Sequence, residues 1–326
     1  MSSTDRKPVV CVLDEIHPAA TRRLAAGAEV VGPGDGAARR WVEEADAVIV
    51  RNSRVPGEAI ARARRLRVIG KHGAGTDNID VRAAEAAGIV VHATPGLNAD
   101  SVADLAVGMA LALVRDIHGH TLALKRGAPL VGAARVGYEI AELPVGIVGF
   151  GTIGRAVAHR LRLGFGATIA AYDPGVPATA WPDAIRRLDA LEDLLRESRL
   201  VFLHLPLVEA TSGLIDARAI AAMPQGAFLV NCARGGIVDE AALAAALRDG
   251  RLGGAASDVF EVEPPGPDNP LLAVPGFLAT PHLGASTHAG LERVGSGIVD
   301  KVLSSLDAPG APRPAADPNA MEGKRR

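Results

Sequence analysis

Short apolar runs alternate along this chain with stretches whose apolar residues return every three or four positions, the rhythm of strands alternating with helices. Residues 9–13, 45–50, 66–70 and 89–92 are the first such runs, and 18–26, 58–65 and 81–87 read as the helices between them. That alternation predicts a small parallel sheet of its own. Pro95-Gly96 then breaks the chain before a long helix over 101–118, where Ser101 and Asp104 are spaced as a capping box. Val102, Leu105, Met109 and Leu113 share one face of that helix and read as a core or interface stripe. Residues 127–137, rich in glycine and alanine, read as a connecting loop. Further apolar runs follow at 200–205, 227–231, 253–257 and 277–280, then a final helix over 284–306. The tail at 307–326 is rich in Pro, Ala and charge and is expected to be disordered.

A second sheet centres on residues 144–154, PVGIVGFGTIG. An apolar run ends there in G-x-G-x-x-G at Gly149, Gly151 and Gly154. A helix is predicted over 155–163 with Gly164 as its stop, and another run at 167–172 ends at Asp173. Strand, glycine turn, helix, strand and terminal acid in this order form a dinucleotide site, although a G-x-G-x-x-G by itself is no more than a glycine turn. Gly149 allows the tight turn, Gly151 lets the backbone approach a pyrophosphate, and Gly154 lets helix and strand pack closely. The N–H groups at the helix start then hold the negative charge. Asp173 is placed to accept hydrogen bonds from an adenosine ribose and to repel a 2′-phosphate, which predicts NAD rather than NADP. Four more strand ends bring Pro206, Arg234, Asp258 and His282 to the edge that carries the glycine turn, and such convergence marks a site. In the smaller sheet, Arg51 and the turn Gly73-Ala74-Gly75 occupy strand ends, where exposed N–H groups suit a carboxylate. Taken alone, Arg51 is more often a plain surface arginine.

With 326 residues, 48% of them hydrophobic, the chain has room for two domains and a substantial core. A net charge of −2 without basic patches or acidic blocks argues against nucleic acid as a partner. No apolar run approaches the roughly 18 residues that span a membrane. The polar start carries no secretory signal, and Cys11 and Cys232 share no metal-like spacing, so reduced thiols in a cytoplasm are expected. His118 and His120 are the closest histidines, yet no acid or cysteine cluster joins them. They read as a solvated helix end, and no metal site is expected.

Five motifs in order now add to this reading: GKHGAGTDNID at 70–80, GFGTIG at 149–154, MPQGAFLVNCARGGIVDE at 223–240, SDVFEVEPP at 257–265 and TPHLGAST at 280–287. Over about residues 45–290 the chain resembles the D-isomer-specific 2-hydroxyacid dehydrogenases. The resemblance implies an α/β architecture in which a Rossmann-type doubly wound parallel sheet, 99–285, is inserted into a smaller flavodoxin-like α/β domain, 1–98 plus 286–326. It implies a cleft that closes on the substrate, NAD as cofactor and a homodimer. It also implies a catalytic trio, here Arg234, Glu263 and His282. Arg234 would clamp the substrate carboxylate, His282 would exchange a proton with the substrate oxygen, and Glu263 would keep His282 protonated. By itself Glu263 reads as a solvated loop acid beside Glu261. By the same resemblance Thr152 and Ile153 meet the pyrophosphate and Asp258 the nicotinamide side. Leu205, Pro206, Cys232, Ala233, Gly284 and Ala285 then line the cofactor, though a buried structural cysteine explains Cys232 equally well.

The implied activity is hydride transfer between nicotinamide and a small 2-hydroxy or 2-keto acid: hydroxypyruvate, glyoxylate, 3-phosphoglycerate or another anionic three-carbon acid. The alternative is an NAD(H)-sensing dimeric binding protein of the corepressor type. The chain departs from the family pattern at Ser101-Val102-Ala103-Asp104-Leu105, where many members read SVAEH. It departs again at Glu142-Leu143-Pro144, where many have Gly-Lys-Thr, and it lacks the tryptophan often found before that strand. Ala74 stands where the family's phosphite dehydrogenases have lysine, and at this length no regulatory domain is expected.

Overall fold

The computed structural model of the chain describes residues 6–128 and 136–308. Most of the expected 127–137 loop and all but the first two residues of the expected tail lie outside the described residues. The chain divides into two compact units, Met1–Asn98 with His288–Arg326, and Ala99–Thr287.

The first unit holds a five-stranded, wholly parallel sheet. Its strands are β1 (Val9–Val12), β2 (Glu29–Val31), β3 (Ala47–Val50), β4 (Val68–Lys71) and β5 (Val90–His92), in the order β2-β1-β3-β4-β5. Helices α1 (Pro18–Gly27), α2 (Ala37–Glu44), α3 (Gly57–Arg62) and α4 (Val81–Ala86) make the crossovers. Every residue of β1 and β3 is buried, as parallel strands covered on both faces must be. The pattern of apolar positions did not reveal β2 or α2. β2 has three residues, only one of them buried, and α2 buries only Ala37 and Trp41.

The second unit is a seven-stranded parallel sheet built from β6 (Val145–Val148), β7 (Ile169–Tyr172), β8 (Arg186–Arg187), β9 (Leu200–Leu203), β10 (Ala227–Asn231), β11 (Leu252–Ser257) and β12 (Phe277–Ala279). Its order is β12-β11-β10-β9-β6-β7-β8, so the winding direction reverses between β6 and β9. In sheets of this kind ligands bind beyond the carboxyl ends of the strands at that reversal. Helices α5 (Ala99–Val114) and α7 (Thr152–Phe165) cover one face of the sheet. Between them in sequence lies α6 (Ile117–Lys125). On the other face are α8 (Leu191–Glu197), α9 (Ala217–Ala222) and α10 (Glu240–Arg248). The last helix, α11 (His288–Asp307), belongs to the first unit, where Ile298, Val299 and Val302 pack against β1, β3 and β4. A Cβ on Gly70 of β4 would lie 2.7 Å from Val302 Cγ2, so only glycine lets strand and helix come this close. Arg67 closes the C-terminal end of α11 by donating to the carbonyls of Ser305, Leu306 and Ala308.

Several helix limits differ from the expected ones, each for a visible reason. Helix α5 starts at Ala99, which places Ser101 inside it, 4% exposed and hydrogen-bonded to Thr287 Oγ1 at 2.8 Å. Asp104 instead accepts from Arg160 Nε at 2.7 Å, so no capping box forms. The helix expected to reach 118 stops at Val114, and Asp116, in a left-handed conformation at φ 43°, starts α6. Helix α7 begins at Thr152, runs through Gly164 and ends at Gly166 in the left-handed region. Residues 284–287 precede the final helix.

Candidate active site

The glycine turn joins β6 to α7 at the reversal point. Gly149 has φ 91°, and a Cβ there would sit 2.4 Å from the carbonyl oxygen of His204. A Cβ on Gly154 would sit 2.2 Å from the Gly149 oxygen, which closes the turn onto the first turn of α7. A Cβ on Gly151 would meet nothing within 4 Å, leaving the turn's backbone open to an approaching group. Beside it, the first N–H groups of α7, from Thr152 and Ile153 onward, lack helical partners and carry the positive end of the helix dipole. Asp173 follows β7 directly. Its Oδ2 accepts the Phe150 N–H and its Oδ1 the Gly175 N–H, both at 2.8 Å. These two bonds fix the carboxylate beside the turn and leave it lone pairs for two hydroxyls. An open anion cradle with an acid beside it fits a dinucleotide bearing a free ribose diol.

Of the four strands on the far side of the reversal, β10, β11 and β12 lead into the segments that carry the candidate catalytic side chains. After β10 the chain turns through Cys232-Ala233-Arg234, and the 3%-exposed Asn231 braces that turn. Its Oδ1 accepts the Ala233 N–H and its Nδ2 donates to the Arg234 carbonyl, each at 3.0 Å. A Cβ on Gly235 would lie 2.0 Å from the Phe260 carbonyl, so this turn rests directly on the backbone that follows β11. Cys232 is buried with its Sγ 3.8 Å from Met109 Sδ. Burial and then the charge of Asp258 hold the thiol far above its usual range, so it packs as a protonated core group. Ala233 is also buried.

Asp258 directly follows β11 and is 2% exposed. Its Oδ1 accepts from Thr280 Oγ1 and the Leu283 N–H, both at 2.6 Å, and its Oδ2 accepts the Gly284 N–H at 2.8 Å. The His282 N–H donates to the Asp258 carbonyl at 2.8 Å. These four bonds hold His282 at φ 54°, a left-handed conformation that costs a non-glycine residue about 1–3 kcal/mol and that functional sites retain. His282 Nδ1 then lies 2.6 Å from Glu263 Oε2. Burial alone would raise the Glu263 carboxyl. The His282 hydrogen bond and charge, the Phe260 N–H at 3.1 Å and the Arg234 charge outweigh it and hold the group below its usual range. Glu263 is therefore ionised across the neutral range. A carboxylate only accepts, so Nδ1 carries a proton and Nε2 is left for exchange with a ligand.

Leu205 and Pro206 follow β9 at the same edge, and Pro206 accepts from Thr211 Oγ1 at 2.6 Å. Gly284 is buried and Ala285 half-buried after β12. One residue at this edge escaped the sequence reading. His204, directly after β9, has both ring nitrogens buried without a hydrogen-bond partner among the described residues, and burial holds it down at about 3. Its N–H donates to Val148 at 2.8 Å, which places it at the reversal point itself.

In the first unit, Arg51 follows β3, and the backbone of its turn is already claimed. The Arg51, Asn52 and Ser53 N–H groups and the Ser53 hydroxyl all donate to Asp14, at 2.7–3.0 Å at their shortest. Burial pushes the Asp14 carboxyl up, but these bonds outweigh it and hold the group low. Asp14 follows β1, so the strand-end rule applied to the first run would have found it. The Gly73 N–H donates to Thr94 Oγ1 at 3.1 Å, leaving Ala74 and Gly75 as the turn's remaining donors.

Comparison with known proteins bears on the same residues. Residues 107–284 match the family model described as "D-isomer specific 2-hydroxyacid dehydrogenase, NAD binding domain". The hydroxypyruvate reductase of Thermotoga maritima is 42% identical over 81% of this chain and 86% of its own length. The D-3-phosphoglycerate dehydrogenase of Methanocaldococcus jannaschii is 39% identical over 81% of this chain, which spans only 50% of that relative. Among solved structures, that of the TT0316 protein from Thermus thermophilus superposes with a TM-score of 0.84 at 34% identity, covering 94% of this chain and 99% of that one.

Proposed function

The chain belongs to the D-isomer specific 2-hydroxyacid dehydrogenases, and from that premise we propose how its residues divide the work on a small anionic 2-keto acid. It is an NAD-dependent oxidoreductase acting on the CH–OH group of a 2-hydroxy acid. The observation that carries the assignment of roles is the 2.6 Å contact between an ionised Glu263 and His282, on the strand edge shared with Arg234 and the glycine turn.

Bound nicotinamide supplies hydride in the reducing direction and takes it back in the other. Arg234 grips the substrate carboxylate with its planar guanidinium and polarises the 2-keto oxygen. His282 enters reduction protonated on both nitrogens. Nδ1–H stays with Glu263, and Nε2–H passes to the oxygen as it gains charge. In oxidation, neutral His282 takes the hydroxyl proton through the same nitrogen. Glu263 favours the charged ring in both directions without being consumed. Asp258 holds the turn that aims His282, and the exposed turn at Gly151 with the start of α7 receives the pyrophosphate. Asp173 accepts from the adenosine ribose and disfavours a 2′-phosphate.

The substrate is a two- or three-carbon keto acid of the hydroxypyruvate, glyoxylate or phosphohydroxypyruvate type, with Ala74, Gly75 and Arg51 contributing to its recognition. A homodimer in the cytoplasm belongs to the same reading. It is supported by the exposed apolar residues Ile117 and Leu124 of α6 and Leu163 and Phe165 of α7, and by two free, buried cysteines. Among the described residues no helix is long and apolar enough to cross a membrane.

The test is a panel of these keto acids assayed with NADH and with NADPH at one pH. Saturable NADH oxidation that His282→Asn lowers by roughly 10²–10⁴ in kcat supports the reading. Turnover that His282→Asn leaves unchanged, or NADH binding with no turnover at all, refutes it, the latter in favour of a sensing role.

A further inference from the structure

Glu263 sits in the connection 258–276, which contains neither helix nor strand, yet its carboxylate must meet His282 at hydrogen-bond distance. The ladder bonds that fix Arg234 and His282 do not reach it. Side-chain bonds from α10 do: Arg248 donates to the Pro270 carbonyl at 3.3 Å, and two further attachments end on one side chain. Glu240, the first residue of α10, accepts the Glu261 N–H at 2.8 Å through Oε1 and the Asn269 Nδ2 at 2.6 Å through Oε2. Asn269 in turn accepts the N–H of Leu271, which is 2% exposed, so the second attachment is tied into the core. The two attachments bracket Glu263 in the chain. Glu240 does not serve as the cap of its own helix, because Asp239 accepts the Ala242 N–H at 2.9 Å. Beneath these bonds, Asn231, Gly235, Glu240 and Ser257 line a cavity of about 10 Å³, room for one water at most. The floor of the segment is thus nearly closed.

We propose that Glu240 is a positioning residue for the proton-transfer pair: its two carboxylate oxygens pin the segment that carries Glu263 and so set the Glu263–His282 contact. This rests on the roles given above to Glu263 and His282. A short, well-aligned contact between carboxylate and imidazole depends on separations of tenths of an ångström, and an irregular segment holds such a tolerance only when anchored on both sides. The charged groups around the pair are Arg234 from the turn after β10, Asp258 directly after β11, Glu261 from the segment itself, and Asp239 with Glu240 from α10. Burial, and then the charges of Glu240 and Asp239, hold Glu261 above its usual range.

The experiment follows two readouts in the full-length protein with NADH present. One is the titration midpoint of the His282 ring by ¹³C-histidine NMR, assigned by its loss in His282→Asn. The other is the falling limb of kcat/KM for hydroxypyruvate reduction against pH. Glu263→Gln should move both measurably to lower pH. Glu240→Ala should reproduce a substantial part of that shift, while the NADH Kd stays within about twofold. Glu240→Gln keeps an acceptor for the Glu261 N–H and should fall between parent and alanine variant, separating tether from charge. In the double variant Glu240→Ala/Glu263→Gln, the alanine should add nothing further, because the two act through one contact. A Glu240→Ala protein that folds with both readouts at the parent position overturns the proposal, as does a shift that adds in full to that of Glu263→Gln. If Glu263→Gln itself moves neither readout, the functional roles fall first and this inference with them.

Discussion

Gly235 separates Arg234 from the segment carrying Glu263, and replacing it with alanine tests whether the two must stay in contact. The added Cβ would lie 2.0 Å from both the carbon and the oxygen of the Phe260 carbonyl and 2.4 Å from the Glu261 nitrogen. Ordinary contact begins near 3.4 Å, so one backbone must retreat by about 1.4 Å, and no side-chain rotation can relieve it. That displacement falls between the guanidinium proposed to grip the substrate and the carboxylate proposed to charge His282. A misplacement of about 1 Å in a reacting constellation costs roughly 10²-fold. Initial-rate kinetics with hydroxypyruvate and NADH should therefore show kcat/KM lowered by about 10². NADH Kd from fluorescence should change little, because the glycine turn between β6 and α7 is untouched. Overpacking of this kind also costs about 1–3 kcal/mol, visible as a lowered Tm. Gly236→Ala is the matched control: its Cβ would meet Leu207 at 3.6 Å, an ordinary contact, and should leave both quantities near the parent. A Gly235→Ala enzyme within about threefold of the parent, or equal losses in both variants, would refute the reasoning.

Asp173→Ala should narrow a preference for NADH over NADPH of about 10² or more, mainly by weakening NADH, and equal kcat/KM with both cofactors in the parent would dismiss the acid's role. Gly154→Ala places a Cβ 2.2 Å from the Gly149 oxygen and should lower Tm, whereas Gly151→Ala meets nothing within 4 Å and should keep Tm while raising the NADH Kd at least about tenfold. Thermal scans and NADH titrations of the pair decide this, and a destabilised Gly151→Ala would contradict it. Acid should weaken the first unit through His72, which burial and then the Arg51 charge hold down at about 4, from 6.5 when unfolded. The unfolded chain takes the proton first, so stability is full above about pH 6.5 and falls by roughly 2–4 kcal/mol as pH drops towards 4. Urea unfolding of His72→Asn should show a flatter pH dependence than the parent, and identical slopes would remove His72 as the cause.

The strands were legible because parallel strands covered on both faces are apolar at every position, as β1, β3, β6 and β9 are. Some of the elements that escaped bury too little to leave a pattern, although α10, also not anticipated, buries Leu243, Ala244, Ala246 and Leu247. The edge strand β8 is two exposed arginines, and α9 buries only Ile220. The break at Asp116 carries neither glycine nor proline, so periodicity ran across it. At the site, the strand-end rule by itself reached Arg234, Asp258 and His282. Glu263 was beyond that rule because no strand delivers it, and only the family motif singled it out from Glu261. Asp14 and His204 were within reach of the rule and passed over. An acid after a strand resembles any loop acid until its bonds to the Arg51–Ser53 backbone are seen, and nothing in the sequence announces that both nitrogens of His204 are buried.

The difference between Glu263 and its two partners follows from how the sheet continues past its strands. Asp258 N–H donates to the Asn231 carbonyl, Thr280 N–H to Ser257, and His282 N–H to Asp258, so ladder-like bonds extend beyond the ends of β10, β11 and β12. Arg234 and His282 thereby inherit their spacing from the sheet, with Asn231 and Asp258 as side-chain braces on either side. Glu263 inherits nothing from the sheet and depends on side-chain bonds to α10. Damage to the sheet-borne braces should therefore spoil substrate grip and proton transfer together. Damage to the tether of Glu263 should alter the pH at which the enzyme works while leaving the grip intact. A site built this way can retune its pH response by changes in one irregular segment, because the residues that set its reaction geometry are held by another part of the structure.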